Sequence, residues 1–454
     1  MRTIHAGLGV ALLLAVGGPS AAAAVADAAP WSVPASFVAD TSPDGSNDVA
    51  ARVAVAADGA AVVAYRRSTG TRRRRPVQAF AGQRRHDLRA RVGDRTGRFG
   101  AATVLTRAAV SSYSVAVRPG GDRLVAWTGP SGLRAALYRR GRWTTRTLST
   151  GTQSEIGDVQ VAVDPRGGWV MVVRQFVSPG VRVQALDLAD DGNRVGPVHE
   201  LGAGDFGAEA RPVFALAVDR DGTAFFTYRD NQADPANPQM PPRSQIRARP
   251  HGGQWGSAVG IDGVVDARVT AAPDGGAVLA GTRPRSRGDA GYFGAPLSAL
   301  VGRDGSVGPL LGPALASPGR AFGPSAVALG DGRRLLVASL KSGSAAFSRI
   351  APVAATVLGP GSPASSLLTT GLASEPVAVP LAGQRALVLW AGERGWGGAL
   401  ATSSGSVGAI RPPPGPPPAP FHNNPTNRDV RSGGRYVAIA WERDGRIRVT
   451  LRRF

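Results

Sequence analysis

Apolar and polar positions along this chain alternate in one short pattern that recurs from beginning to end. A strand-length run of small apolar residues leads into a tight polar turn. A second, more hydrophobic run follows and often ends on an aromatic. The clearest copies are Val53-Ala-Val-Ala-Ala-Asp-Gly-Ala-Ala-Val-Val-Ala-Tyr65, Val115-Ala-Val-Arg-Pro-Gly-Gly-Asp-Arg-Leu-Val-Ala-Trp127 and Leu216-Ala-Val-Asp-Arg-Asp-Gly-Thr-Ala-Phe-Phe-Thr-Tyr228. The runs are short, bounded by turn residues and without helical periodicity, which predicts strands. Asp58-Gly59, Asp221-Gly222, Asp274-Gly275 and Asp331-Gly332 supply the positive φ that a tight hairpin turn demands, and Gly120-Gly121, Gly167-Gly168 and Gly433-Gly434 serve the same end.

Eight copies begin at Val53, Val115, Val161, Leu216, Val269, Val327, Val377 and Val430, about 54 residues apart on average. Most continue into a third strand, such as Leu133-Arg-Ala-Ala-Leu-Tyr138 or Ile447-Arg-Val-Thr-Leu451. A fourth strand follows a turn that carries an aromatic or Val: Gly97-Arg-Phe99, Gly141-Arg-Trp143, Gly253-Gln-Trp255, Gly305-Ser-Val307 and Gly405-Ser-Val407. The last copy stops after its third strand. An orphan fourth strand, Trp31-Ser-Val-Pro-Ala-Ser-Phe-Val-Ala39, precedes the first copy. A ring in which the N-terminal strand completes the C-terminal unit explains both ends and leaves no open sheet edge.

This repeat resembles the β-propeller superfamily over residues 31–454, and its Asp-Gly turns resemble TolB-type propeller repeats. The resemblance implies an all-β fold: a single propeller of about eight four-stranded blades, with seven if one copy is degenerate. It implies no activity. The Gly-His and Trp-Asp pair of WD40 repeats and the Ser-x-Asp-x-Gly-x-x-Trp box of sialidases are both missing from the sequence.

Composition adds location. Arg2, the apolar run at 7–18 and the Ala-x-Ala sequences ending at Ala26 and Ala28 read as a signal peptide over 1–28, followed by a propeller domain over 29–454. The apolar run is too short to cross roughly 30 Å of hydrocarbon. No later segment reads as a membrane span, so a secreted or otherwise extracytoplasmic monomer is expected. The count of Cys is 0, which excludes disulfides, lipid-modified cysteine and thiolate metal sites.

Charge adds candidate chemistry. The formal net charge is +21, with Lys341 the sole lysine, and the 66–98 segment holds twelve Arg against Asp87 and Asp94, a net +10. Arg66, Arg67, Arg72, Arg73, Arg74 and Arg75 open this insertion. With Arg174, Arg229 and Asp230 they form a candidate binding set on the face that carries the strand two–three loops. Those loops vary in length (66–82, 229–245 and 282–294), whereas the first hairpin turns are uniformly short. A Pro-rich connector at 411–420 precedes the last copy. Two readings stand side by side: capture of an anionic polymer or protein outside the cytoplasm, or a solvated loop enriched in Arg by coding bias. Specific nucleic-acid recognition is not expected, because only Phe80 and Phe99 interleave with these arginines.

Acids precede the innermost strand in several copies, with arginines close behind. Asp48, Arg52, Asp158, Glu209, Arg211, Asp266, Arg268, Asp429 and Arg431, with Glu375 in looser register, are predicted to form a charged ring at the mouth of a central channel. Its structural role is to join neighbouring blades; its functional alternative is a ligand or cation site.

Catalytic motifs are poorly represented. His86, His199, His251 and His422 lie far apart with no zinc-binding pair, and no Gly-x-Ser-x-Gly elbow occurs. Gly202-Ala-Gly204-Asp-Phe-Gly207 matches a dinucleotide fingerprint as text, but Pro212 and the strand after it leave no room for the helix that motif must open. Asp219-Arg220-Asp221-Gly222 and Asp190-Asp191-Gly192-Asn193 read as hairpin turns, since neither supplies the downstream Glu of a calcium loop. No metal or cofactor is predicted. The expected function is a non-catalytic binding protein. The alternative is a glycoside hydrolase or lyase with carboxylates drawn from Asp230, Asp234, Glu393 and Glu442, and with Arg174, Arg229 and Tyr228 beside them.

Overall fold

The computed structural model describes residues 30–38, 51–68, 86–129, 132–149, 156–177, 180–204, 214–230, 243–284, 294–313, 320–341, 351–360, 364–373, 376–392, 395–415, 428–443 and 446–454. The expected signal segment at 1–28, the Arg72–Arg75 run, Asp48, Glu209, Arg211, Asp234, Glu375 and Glu393 lie outside them.

All the regular elements described are antiparallel strands, and they form an eight-bladed β-propeller. Blade 1 comprises Arg52–Val55, Ala61–Ser68, His86–Gly93 and Thr103–Thr106. Blade 2 comprises Ser112–Val117, Arg123–Gly129, Gly132–Arg139 and Arg142–Ser149. Blade 3 runs through Ile156–Val163, Trp169–Val177, Gly180–Leu188 and Arg194–Gly204. Blade 4 runs through Phe214–Val218, Ala224–Asp230, Arg243–Arg249 and Val259–Ile261. In blade 5, Val265–Ala271, Ala277–Pro284 and Gly294–Val301 are followed by an outer segment held through the bridges Val301–Val307 and Ser298–Leu311. Blade 6 contains Arg320–Gly330, Arg333–Lys341, Ala351–Leu358 and Ala364–Ala373. Blade 7 contains Val377–Leu381, Arg385–Gly392, Gly395–Thr402 and Val407–Ala409. Blade 8 has Arg428–Gly433, Tyr436–Arg443 and Arg446–Arg453.

The outer strand of blade 8 is Ala35–Val38, paired antiparallel with the end of the chain at Ala35–Val449, Ser36–Arg448, Phe37–Ile447 and Val38–Arg446. The ring closes as the two ends of the sequence require. Ser32 extends the seam, its amide donating to the Leu451 carbonyl at 2.8 Å. All eight inner strands fall where the repeat places them, and Gly59, Gly222, Gly275 and Gly332 adopt φ of 86°, 82°, 99° and 71°.

The apolar interior is eight cores rather than one. Each lies between two successive blades, because the sheets face one another around the ring. Blades 8 and 1 share Phe37, Val53, Val63, Tyr65, Ile447 and Leu451, for example, and blades 2 and 3 share Leu124, Leu133, Trp169 and Met171. A middle strand therefore buries both faces, as Arg123–Gly129 does at every position. This explains why the second strand of each repeat reads as a continuous hydrophobic run rather than an alternating one. Among the described residues, no helix is long and apolar enough to cross a membrane.

Antiparallel order within each blade defines two faces. The first hairpin turns and the strand three–four turns share one, the turn face. The strand two–three loops and the connections between blades share the other, the loop face.

Candidate anion-binding surface

On the loop face the predicted arginines occupy one repeated position. Arg66, Arg174 and Arg229 each lie three residues beyond the partner of the central inner-strand residue, in the pairs Val53–Val63, Val161–Met171 and Leu216–Phe226. Thr128, Thr282 and Glu442 hold the same place in blades 2, 5 and 8. Side chains here reach the start of an inner strand. Arg66 donates to the Val110 carbonyl at 3.1 Å, and the Thr128 hydroxyl donates to the Gly157 carbonyl at 3.2 Å. Arg174 pairs with Asp158, and Arg229 lies 3.6 Å from Asp266; both guanidinium groups are buried. Each of the two aspartates sits at a register shift, and Asp266 takes φ of 54°, so a bulge turns its carboxylate toward the neighbouring arginine. Tyr113 packs beside Arg66, and burial pushes its phenol up against the opposing pull of Arg66 and Arg52.

Asp429 is buried and accepts the Val53 amide at 2.9 Å across the blade 8–blade 1 boundary, with Arg431 at 3.0 Å. Other inner-strand side chains make the same kind of bond to the next blade. Ser114 accepts the Val161 amide at 3.2 Å, Gln160 accepts the Leu216 amide at 2.8 Å, and Ser325 accepts the Ala378 amide at 3.2 Å. Of the predicted ring acids, Asp266 and Asp429 reach across blade boundaries, to Arg229 and to the Val53 amide, whereas Asp158 pairs with Arg174 within blade 3. Arg52 is half-buried, while Arg67 and Arg268 are exposed. The side chain of Asp230 lies outside the described residues.

The turn face is laced by a different set. Asp58 accepts the Gly120 amide at 2.8 Å, joining blades 1 and 2. Arg118 donates to the Gly168 carbonyl and pairs with Asp190, both at 2.7 Å, joining blades 2 and 3. The Arg118 guanidinium and the Gly168 amide hold the Asp190 carboxyl below the usual range. Asp164 meets His251 at 2.7 Å between blades 3 and 4. Asp219 accepts the amides of Thr223, Gly276 and Asp221 at 2.8, 2.8 and 3.0 Å, and Asp221 pairs with Arg303 of blade 5.

Arginine without a carboxylate gathers in blades 8, 1 and 2. Arg95, Arg98, Arg107, Arg140, Arg142, Arg435, Arg446 and Arg453 are all exposed, and among the described residues none makes an ion pair. Six of these, all but Arg107 and Arg446, belong to turns or strand ends on the turn face. The acids nearby are already occupied. Asp94 folds back on its own turn, accepting the Thr96 hydroxyl at 2.6 Å and the amides of Thr96 and Arg98 at 2.8 and 3.1 Å. Slight burial raises its carboxyl, but these bonds outweigh that and hold it below the ordinary value. Asp122 pairs with Arg139 at 3.4 Å. Among the described residues no group of three or more His, Cys, Asp or Glu is placed to hold a metal ion.

The sequence drew attention to Arg95 and Arg98 as part of the first-repeat surplus, but Arg435 and Arg453 escaped it. The available signal was ring closure itself: once the last and first repeats are neighbours, arginines in their turns belong to one surface.

No protein-family model matches the chain, and no curated protein matches it. Among solved structures, the chain is similar to the α-L-arabinanase of Penicillium chrysogenum at 14% identity and a TM-score of 0.41, covering 75% of this chain and 92% of that one. It is similar to a puromycin hydrolase at 18% identity and a TM-score of 0.47, covering 90% of this chain and 61% of that one. A polysaccharide lyase is similar at 12% identity and a TM-score of 0.45, with 73% and 88% covered.

Proposed function

We propose that this chain is a non-catalytic, extracytoplasmic β-propeller that binds an anionic partner through the basic sector of blades 8, 1 and 2. The observation that carries the reading is the gathering there of exposed arginines, the eight above and Arg67, with no ion-pair partner among the described residues. At the boundaries between blades 2 and 3, 3 and 4, and 4 and 5, by contrast, turn charges pair across the boundary: Arg118 with Asp190, His251 with Asp164 and Arg303 with Asp221. Unmatched like charges cost free energy through mutual repulsion, and a polyanion relieves that repulsion while gaining charge-assisted hydrogen bonds.

The test is retention of the full chain on immobilised acidic polymers as salt is raised. Exposed charges are screened over about 8 Å at physiological ionic strength, so retention should weaken steeply between low and physiological salt. Retention that ignores salt overturns the electrostatic reading.

A carbohydrate-active enzyme is the second reading. It needs two carboxylates roughly 5–9.5 Å apart and open to substrate. Asp158, Asp266 and Asp429 are each engaged by an arginine or a backbone amide, which supports binding over hydrolysis. The activities named for the similar solved structures define the assays: new reducing ends or unsaturated sugars released from arabinan or acidic polysaccharides would establish the enzymatic reading instead.

A further inference from the structure

We infer that the turn-face boundary between blades 8 and 1 is a binding site for an acidic polysaccharide, and that its occupancy holds the ring closed. This rests on the anion-binding reading above and assigns it a place, a ligand class and a consequence.

The place follows from contacts across the boundary. Gly59, in the first turn of blade 1, has no room for a side chain: a Cβ there would stand 2.7 Å from the Arg95 Cβ and 2.9 Å from the Tyr436 ring. Arg95 of blade 1 and Tyr436 of blade 8 therefore flank one point. Arg453 is the cross-strand partner of Tyr436 and shares its side of the sheet, and Arg435 is its chain neighbour. Gly97 makes the second contact, since a Cβ there would meet Ser32 at 2.4–2.6 Å and Leu451 at 3.4 Å. That brings the turn bearing Arg98 onto the last strand of the chain. Four exposed arginines, two from each blade, thus border the closure seam. Asp94, the acid in the same turn, has its carboxylate turned to Thr96 and the Arg98 amide.

The ligand class follows from the side chains. Arginine forks match planar or tetrahedral oxyanions in pairs of parallel hydrogen bonds, as carboxylate and sulfate sugars present them. Stacking of nucleobases needs free aromatic faces. The aromatics here are committed: Phe99 packs edge-on against Phe37 at 6.0 Å, and Tyr436 lies over Gly59. A polymer is favoured over a small anion because the arginines lie along a boundary rather than around a pocket.

The consequence follows from closure. The outer strand of blade 8 is only the four residues Ala35–Val38, held by four register pairs. A ring that opens at this boundary, breaking that pairing together with the core blades 8 and 1 share and the Asp429–Val53 bond, separates Arg435 and Arg453 from Arg95 and Arg98. A ligand bridging both pairs binds the closed ring and not the open one. At a hundred times its dissociation constant it lowers the open population about a hundredfold.

The experiment is hydrogen exchange on the full chain at physiological salt, with polygalacturonate, dextran sulfate, neutral dextran and a single-stranded oligonucleotide as probes. Both acidic glycans should slow exchange of the Ala35–Val38 and Arg446–Arg453 amides at least tenfold, and neutral dextran should not. The variant Arg95→Gln, Arg98→Gln, Arg435→Gln, Arg453→Gln should bind at least tenfold more weakly and lose this protection. Arg194→Gln, Arg220→Gln, carrying equally exposed arginines of blades 3 and 4, should keep it. If the fourfold variant fails to fold, Arg95→Gln, Arg98→Gln alone should give a partial loss of both. Acidic glycan binding that the variants leave intact, or that gives no protection of the seam, overturns this inference while leaving anion binding standing. Tighter binding of the oligonucleotide overturns the glycan class. Binding of no polyanion sinks both readings.

Discussion

The boundaries between blades 4 and 5 and between blades 8 and 1 are both built from facing sheets around a shared apolar core, and they differ in how their turn-face charges are placed. At the first, Asp219 is buried and takes three amides, and Asp221 pairs with Arg303. At the second, Arg95, Arg98, Arg435 and Arg453 border the turn-face seam without an ion pair, the nearby Asp58 and Asp94 being bonded to turn amides and the Thr96 hydroxyl. Apolar contact, backbone pairing and the Asp429–Val53 bond do the joining. Phe37 stacks on Tyr65 at 6.0 Å beneath the Arg91 guanidinium, and Ser32 bonds Leu451. The turn face of this boundary therefore draws on no ion pair for its closure. Where a matched network would serve stability, the closure seam carries surplus positive charge, and surplus beyond the needs of folding is where a partner is to be sought.

Four experiments sharpen or break that contrast. The largest effect is expected from Phe37→Ala, which removes a buried ring from the closure core and should cost about 3–5 kcal/mol in urea unfolding. A loss below about 1 kcal/mol would show that the seam is held by something other than apolar contact. Asp219→Ala strands three amides at the other boundary and should cost about 2 kcal/mol, measured the same way. If it proves neutral, the polar network there is decoration.

Acid should distinguish the boundaries next. The Asp190 carboxyl binds its proton at lower pH in the folded chain than in the unfolded one, because Arg118 and the Gly168 amide favour its charged form. The stability it contributes is complete above the ordinary carboxylate value of about 4 and lost as pH falls through the lowered one. Asp190→Asn should remove part of the decline in melting temperature below pH 4, whereas Arg453→Gln should not alter it. The smallest effect belongs to the fourfold arginine-to-glutamine variant at the closure seam. Its unfolding free energy should stay within about 0.5 kcal/mol of the parent, as expected for exposed groups without partners. A large loss would mean the arginines are structural after all.

The architecture was legible because it depends on periodicity. Repeated Asp-Gly turns, paired apolar runs and mismatched ends force a closed ring, and each inner strand contains the start of its repeat. The surface was less legible because a sequence lists charges without their partners. Arg66, Arg174 and Arg229 looked like a binding set, yet each reaches the start of an inner strand: Arg66 through the Val110 carbonyl, the others through Asp158 and Asp266. Their common offset from the strand centre was present in the text all along, but its meaning depends on which blade face a side chain takes. The unmatched arginines, by contrast, come from opposite ends of the chain and become neighbours only through folding.

Pairing Ala35–Val38 with the final strand also has a temporal meaning. Thr450 and Ser32, which bond across that seam, are 418 residues apart. During synthesis the early strand must wait, unpaired, until nearly every other residue has been made. A contact of such long range forms slowly and last. A chain cut short before Arg446 would leave that strand without a mate and one flank of the first blade bare to solvent, so the earliest and the latest strands depend on each other.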